Sequence, residues 1–180
     1  MRLVPNWLTG AAAWEVHCPL EHLLGVYAML MATGAEMGAR NLGWRAIDGL
    51  RLEAGQPLWG RELGADAFAG DAGLEKRLAA GKDHVGAARA GDRSGRRLAT
   101  LVIDAGTADC WGAEPILAGG KPVALVRSAA YGHRIKRSLA TANLPDALAV
   151  PGTALEVDIL GERRRAVVTP TPLEALGAKG

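Results

Sequence analysis

The apolar rhythm of this chain changes twice. Residues 7–18 read as an extended segment, in which Trp14-Glu15-Val16-His17-Cys18 alternates apolar and polar with the period of a half-buried strand. Pro19 ends it. Leu20, Leu23, Leu24, Tyr27, Leu30 and Met31 then recur at helical spacing, with Glu21 in the first turn and Gly34 after the last apolar position. The spacing predicts a second helix over Leu42 to Ala54. Its apolar face is Trp44, Ile47, Leu50 and Ala54, and Gly55 is placed for a left-handed C-cap. Gly49 weakens this helix by up to about 1 kcal/mol relative to alanine, unless close packing needs the missing side chain. Residues 56–95 are rich in glycine, alanine and charge. Within them Leu74-Glu75-Lys76-Arg77-Leu78 suits a helical turn, and Gly81 to Gly95 suits a linker with a domain boundary near residue 84.

From Arg97 onward the period becomes that of strands. Leu98 to Ile103 is one. Pro115-Ile116-Leu117 and Pro122 to Val126 flank Ala118-Gly119-Gly120-Lys121, a hairpin turn. Leu155, Val157 and Ile159 alternate with Glu156 and Asp158, and Gly161-Glu162-Arg163 turns the chain into Ala166-Val167-Val168. Short strands separated by turns predict a small antiparallel barrel. The tail from Thr169 to Gly180 is expected to fray.

Composition narrows the partners. The chain has 180 residues, 49% of them apolar but only 4% aromatic, so aliphatic residues and alanine must make the core. The net charge of +2 and the short, separated clusters Arg93-Arg96-Arg97, Arg134-Lys136-Arg137 and Arg163-Arg164-Arg165 argue for solvated turns and against a nucleic-acid surface. No apolar run reaches the ~18 residues of a membrane span, and Met1 to Pro5 is too polar for a secretion signal. Cys18 and Cys110 form no CxxC, and with the scattered histidines they build no zinc site. Two lone cysteines fit a cytoplasmic location.

Chemistry concentrates in Gly43-Trp44-Arg45-Ala46-Ile47-Asp48-Gly49-Leu50-Arg51-Leu52-Glu53-Ala54-Gly55, continuing to Pro57-Leu58-Trp59-Gly60. Arg45, Asp48 and Arg51 are one turn apart, which on spacing alone is an ordinary surface charge ladder worth a few tenths of a kcal/mol per pair. A second group lies downstream, in Trp111-Gly112-Ala113-Glu114-Pro115-Ile116-Leu117 and Ser128-Ala129-Ala130-Tyr131-Gly132-His133. In order and spacing the two resemble the glycine-cleavage T-protein (aminomethyltransferase) family, most closely the C-terminal folate-binding region of dimethylglycine and sarcosine dehydrogenases.

The resemblance implies an α+β fold. Residues 1–83 would be the end of the folate-binding aminomethyltransferase domain, residues 84–172 the family's C-terminal β-barrel domain, and residues 173–180 a tail. It implies a part in capturing a one-carbon unit on tetrahydrofolate, with Arg45 lining the folate cavity and Trp14 and Tyr131 as ring contacts. No residue is assigned a catalytic role, and no metal ligand is expected. The chain departs from the family pattern at Gly10-Ala11-Ala12-Ala13-Trp14-Glu15, where Ala11 replaces the carboxylate expected to read the pterin edge, so folate affinity is expected to be weak or lost. Asp71 shortens the reach of the glutamate in the family's Thr-Pro-x-Glu segment. No Gly-x-Gly-x-x-Gly fingerprint provides a flavin site. The family's N-terminal half is expected from a partner chain, or its place taken by a second copy, and the isolated chain is expected to be inactive. The alternative is a non-catalytic remnant or interaction module that docks on a partner.

Overall fold

The computed structural model describes residues 1–77 and 83–170. It opens with an antiparallel hairpin of β1 (Arg2–Asn6) and β2 (Ala13–His17), in register from Arg2 opposite His17 to Asn6 opposite Ala13. The expected extended segment over 7–18 is therefore broken. Residues 7–12 are the hairpin connection, where Asn6 Oδ1 accepts the Leu8 N–H (2.7 Å) and the Trp7 carbonyl accepts the Gly10 N–H (3.0 Å). β1 escapes the sequence pattern because Arg2-Leu3-Val4-Pro5 lacks clean alternation.

Two helices follow, α1 (Leu20–Gly34) and α2 (Trp44–Glu53). Both lie where the spacing puts them. α1 carries leucine, methionine and tyrosine around its circumference, the pattern of a buried helix. Yet Leu20 is 82% exposed and Leu24 79%, and Leu23, Tyr27, Met29 and Leu30 are exposed as well. α2 departs from expectation in its buried face, which is Asp48, Gly49, Arg51, Leu52 and Glu53 rather than the Trp44 side. Gly55, with φ 64°, closes it as its position predicts. The chain then runs irregularly, with 3-10 turns at Glu75–Arg77 and Ala87–Arg89.

The remaining strands are β3 (Arg96–Ile103), β4 (Pro115–Ala118), β5 (Lys121–Leu125), β6 (Ser128–Gly132), β7 (Arg137–Pro145), β8 (Ala154–Ile159) and β9 (Glu162–Thr169). They form one antiparallel sheet in the order β5-β4-β8-β9-β3-β7-β6. β6 and β7 are additions to the strands read from sequence. The β4–β5 turn is Gly119-Gly120, both at positive φ (56° and 80°), which a two-residue hairpin demands. Alternate residues point inward, so Leu101, Ile103, Ile116, Leu144, Leu155 and Val157 fill the interior with alanines at 99, 129, 140, 142 and 166. The small residues let the sheet curl tightly. Arg96 fastens the curl by donating to the carbonyls of Asn143 on β7 and Val123 on β5, the latter at 2.9 Å. The Arg127 N–H adds a bond to the Thr141 carbonyl (2.7 Å).

α2 packs on the outside of this barrel, against β6 and β7. Leu52, Ala130 and Leu139 form a second, smaller apolar cluster there, flanked by Val102 and Ile135. Gly49 makes the approach possible, since a Cβ at that position would lie 3.1 Å from the Tyr131 carbonyl oxygen. The expected tail falls outside the described residues from position 171 onward, as does Leu78 of the expected helical turn. Among the described residues, no helix is long and apolar enough to cross a membrane, and no group of three or more His, Cys, Asp or Glu side chains is arranged to hold a metal ion.

Candidate functional site

Two features outside the barrel interior concentrate chemistry. The first is a groove of about 880 Å³ between the hairpin and the N-terminal part of α2. Trp7 and Trp14 from the hairpin region, and Trp44 and Ile47 from α2, line it together with Gln56, Pro57 and Leu58. Trp14 is 64% exposed and Trp44 57%, so broad aromatic surface is available to a flat partner. Among the described residues, Glu15 is the one carboxylate in the lining. Its two oxygens accept from Asn6 Nδ2 and meet His17 Nε2 (3.1 Å). The Asn6 hydrogen bond, then that of His17, holds this carboxyl below the usual range. The volume lies within the span typical of small-molecule sites.

The second feature is the junction between α2 and the barrel. Arg51, wholly buried, donates from Nε to Asp48 Oδ1 (2.8 Å), from Nη1 to Glu62 Oε2 (2.9 Å) and from Nη2 to Ser128 Oγ (2.9 Å). Glu62, also buried, accepts the Leu58 N–H at Oε2 (3.0 Å) and the Thr141 hydroxyl at Oε1 (2.7 Å). Burial alone would raise the Glu62 pKa. The bonds from Leu58, Ser128 and Thr141, with the Arg51 charge, outweigh it and hold the group below its ordinary value of 4.5. Glu53 accepts the Arg134 N–H at Oε1 (2.7 Å), so it ties down the β6–β7 turn. The Asp48–Arg51 pair is thus no surface ladder. Removing one member of such a buried pair costs about 3–5 kcal/mol, because it strands the other charge away from water.

Arg45 takes a different path from its helical neighbours. Its guanidinium lies 4.3 Å from the centroid of the Trp111 ring, joining the two segments that the sequence singled out. Trp111 stands at the rim of a cleft of about 730 Å³ that Arg61, Asp66, Arg96 and Arg127 also line. Glu114 holds this rim by accepting the N–H groups of Trp111 (2.7 Å) and Gly112 (2.8 Å). Tyr131 lines a third depression, on the barrel, and meets His133 edge-on at 5.1 Å. The three sequence-based site residues therefore sit at three places. Trp14 is in the aromatic groove, Arg45 on Trp111, and Tyr131 on the barrel.

Sequence reasoning missed Glu62, Ser128 and Thr141 as a buried polar set. Their only signal is that polar side chains interrupt apolar context, and spacing cannot reveal that three distant segments converge. Asp71, which the sequence sets against the glutamate of the family's Thr-Pro-x-Glu segment, has a structural role. It is buried and accepts the Ser94 N–H (3.0 Å) and the Phe68 N–H (3.3 Å), fastening the loop before the barrel. Cys110 is buried, and its surroundings, burial first and then Glu114 and Asp109, push the thiol up to about 12, which leaves it unreactive at neutral pH.

Comparison with known proteins agrees with this architecture. Residues 7–82 match the GCVT N-terminal domain, and residues 96–173 match the glycine cleavage T-protein C-terminal barrel domain. Human mitochondrial dimethylglycine dehydrogenase is 34% identical over 171 residues, covering 92% of this chain and 20% of that protein. The aminomethyltransferase of Saccharopolyspora erythraea is 36% identical over 159 residues, 85% of this chain and 43% of that protein. The crystal structure of glycine cleavage system aminomethyltransferase T from Bartonella henselae shares the fold, with a TM-score of 0.75 at 21% identity over 92% of this chain and 47% of that one. The chain thus spans about a fifth of the length of the dehydrogenase and under half that of the transferases. With consecutive matches to the GCVT N-terminal domain and the C-terminal barrel domain, and α2 riveted to the barrel that follows it, the chain belongs to the glycine-cleavage T-protein (aminomethyltransferase) family.

Proposed function

We propose that this chain is a reduced-folate-binding portion of a one-carbon-transferring module, of the kind that serves dimethylglycine or sarcosine oxidation. The observation that carries this reading is the groove walled by Trp7, Trp14 and Trp44. The pyrimidinone ring of a reduced pterin is flat and conjugated, which suits stacking against exposed indoles. Its edge presents neighbouring N–H donors, and Glu15 is the carboxylate in the lining able to accept them. When bound, tetrahydrofolate supplies the nitrogen atoms that carry a one-carbon unit. The protein's residues bind and orient it. Arg45 lies outside the lining, with its guanidinium over Trp111, and offers a cation for the carboxylate end of the same ligand on leaving that ring. Tyr131 faces another depression and takes no part in this groove.

Tryptophan fluorescence titration with tetrahydrofolate tests the reading. Weak saturable binding is expected for the wild type, loss for Trp14→Ala, and a decrease for Arg45→Ala. Ala11→Glu should strengthen binding about tenfold to a hundredfold, the yield of one added charge-assisted bond of about 1.5–3 kcal/mol. No binding by either the wild type or Ala11→Glu would overturn it.

A second reading draws on α1. A helix that is apolar all round and left bare needs a cover. We assign that cover to the portion of the aminomethyltransferase module that the matched relatives carry beyond the shared stretch, supplied by a polypeptide that docks on Leu20, Leu24 and Tyr27. Sedimentation tests this: Leu24→Glu should abolish self-association or co-sedimentation with such a polypeptide, and a wild type that is monomeric at high micromolar concentration and binds none would refute it.

A further inference from the structure

Among the described residues, Arg51 and Glu62 join the groove to the barrel. Gln56, Pro57 and Leu58 form one wall of the groove. Arg51 Nη1 donates to the Gln56 carbonyl (3.3 Å), and the Leu58 N–H donates to Glu62 (3.0 Å). Arg51 and Glu62 are bonded to each other, and each reaches a different barrel strand, Arg51 to Ser128 on β6 and Glu62 to Thr141 on β7. Trp44 and Ile47, also in the lining, stand on the same helix as Arg51.

We propose that Arg51 and Glu62 are positioning residues for the ligand groove: they fix the Gln56–Leu58 wall and α2 to the barrel, so that the barrel holds the α2 side of the groove in place without lining it. The inference rests on the groove being the folate site only for its ligand arm, since the geometry of the walls is a property of the free protein. Moving the wall means breaking part-buried, charge-assisted hydrogen bonds. Arginine is specifically required. Its planar fork serves Asp48, Glu62, Gln56 and Ser128 together, whereas a lysine ammonium is a single point with three donors and cannot span those directions.

The experiment uses the full chain with Arg51→Lys, Glu62→Gln and a control, Leu101→Ala, which loosens the barrel interior away from the groove. All are compared at a temperature where circular dichroism shows them folded. The first readout needs no ligand: acrylamide quenching in a Trp59→Phe, Trp111→Phe background, where the remaining tryptophans are the three in the groove. The second is tetrahydrofolate affinity. Arg51→Lys and Glu62→Gln should alter quenching and weaken affinity at least tenfold, and Leu101→Ala should move neither. If Arg51→Lys does not fold, Glu62→Gln and Thr141→Val, which removes the hydroxyl that Glu62 accepts, decide the matter. Quenching that is unchanged, or changed equally by Leu101→Ala, overturns the proposal. A wild type that binds no folate but shows the expected quenching pattern overturns the folate reading and leaves the positioning role supported.

Discussion

Arg51 and Glu62 are burdened with opposite requirements, since each is hidden from water and each stays charged. Their hydrogen bonds meet both, and that makes stability depend on pH with a definite sign. The Glu62 carboxyl is held below its ordinary 4.5, so its contribution is fully present above that pH and is lost as pH falls through the lower folded-state value. Asp71 acts in the same direction: burial opposes its charge, but the Ser94 and Phe68 bonds and the Arg93 charge lower it from 3.8. Melting temperatures between pH 7 and pH 3 should therefore fall steeply below about pH 4.5 in the wild type. Glu62→Gln should be less stable at pH 7 and show a shallower fall. Equal slopes in the two proteins would exclude Glu62 as a main source of acid lability. At this scale the sequence was legible in part. It marked Arg45, Asp48 and Arg51 as belonging together, but helical spacing cannot tell a solvated ladder from a buried cluster. The partners that decide the matter, Glu62, Ser128 and Thr141, lie in other elements.

The helices show where local pattern suffices and where it does not. Both α1 and α2 are written in apolar spacing, and the Gly119-Gly120 hairpin and the alternating β8 are written in turn chemistry and period two. The buried face of α2 is not, because a barrel surface furnished with Ser128 and Thr141 rewards charge where an apolar surface would punish it. Gly49 tests this packing. Alanine there would gain up to about 1 kcal/mol of helix propensity. Its Cβ would also sit 3.1 Å from a carbonyl oxygen of β6, which a paired strand cannot easily withdraw. Overpacking of this kind costs about 1–3 kcal/mol, so Gly49→Ala should lower the denaturant midpoint despite the better helix former. A raised midpoint would show that α2 can shift on the barrel. β6 and β7 escaped the sequence reading because Ser128-Ala129-Ala130-Tyr131 and the alanine-rich β7 have too little contrast between faces for a period to stand out.

Across the whole molecule, order in sequence and order in space diverge. The composition change near residue 84 suggests two successive domains, yet α2 lies before it and packs on strands after it. Hydrogen exchange should show α2 and the barrel strands opening together at the highest free energy, with α1 exchanging far faster, since its side chains bury almost nothing. Exchange of α2 at the rate of α1 would contradict this.

The rivet at Arg51 also bears on how such modules can be traded between proteins. A recombination point placed at the glycine-rich stretch near residue 84 would hand the recipient a barrel with Ser128 and Thr141 facing a foreign surface, and leave the donor's Arg51–Glu62 pair without its Ser128 and Thr141 partners. A crossover upstream of Trp44 would carry lock and key together. The unit that transfers with its buried bonds satisfied is therefore α2, the Glu62 loop and the barrel together.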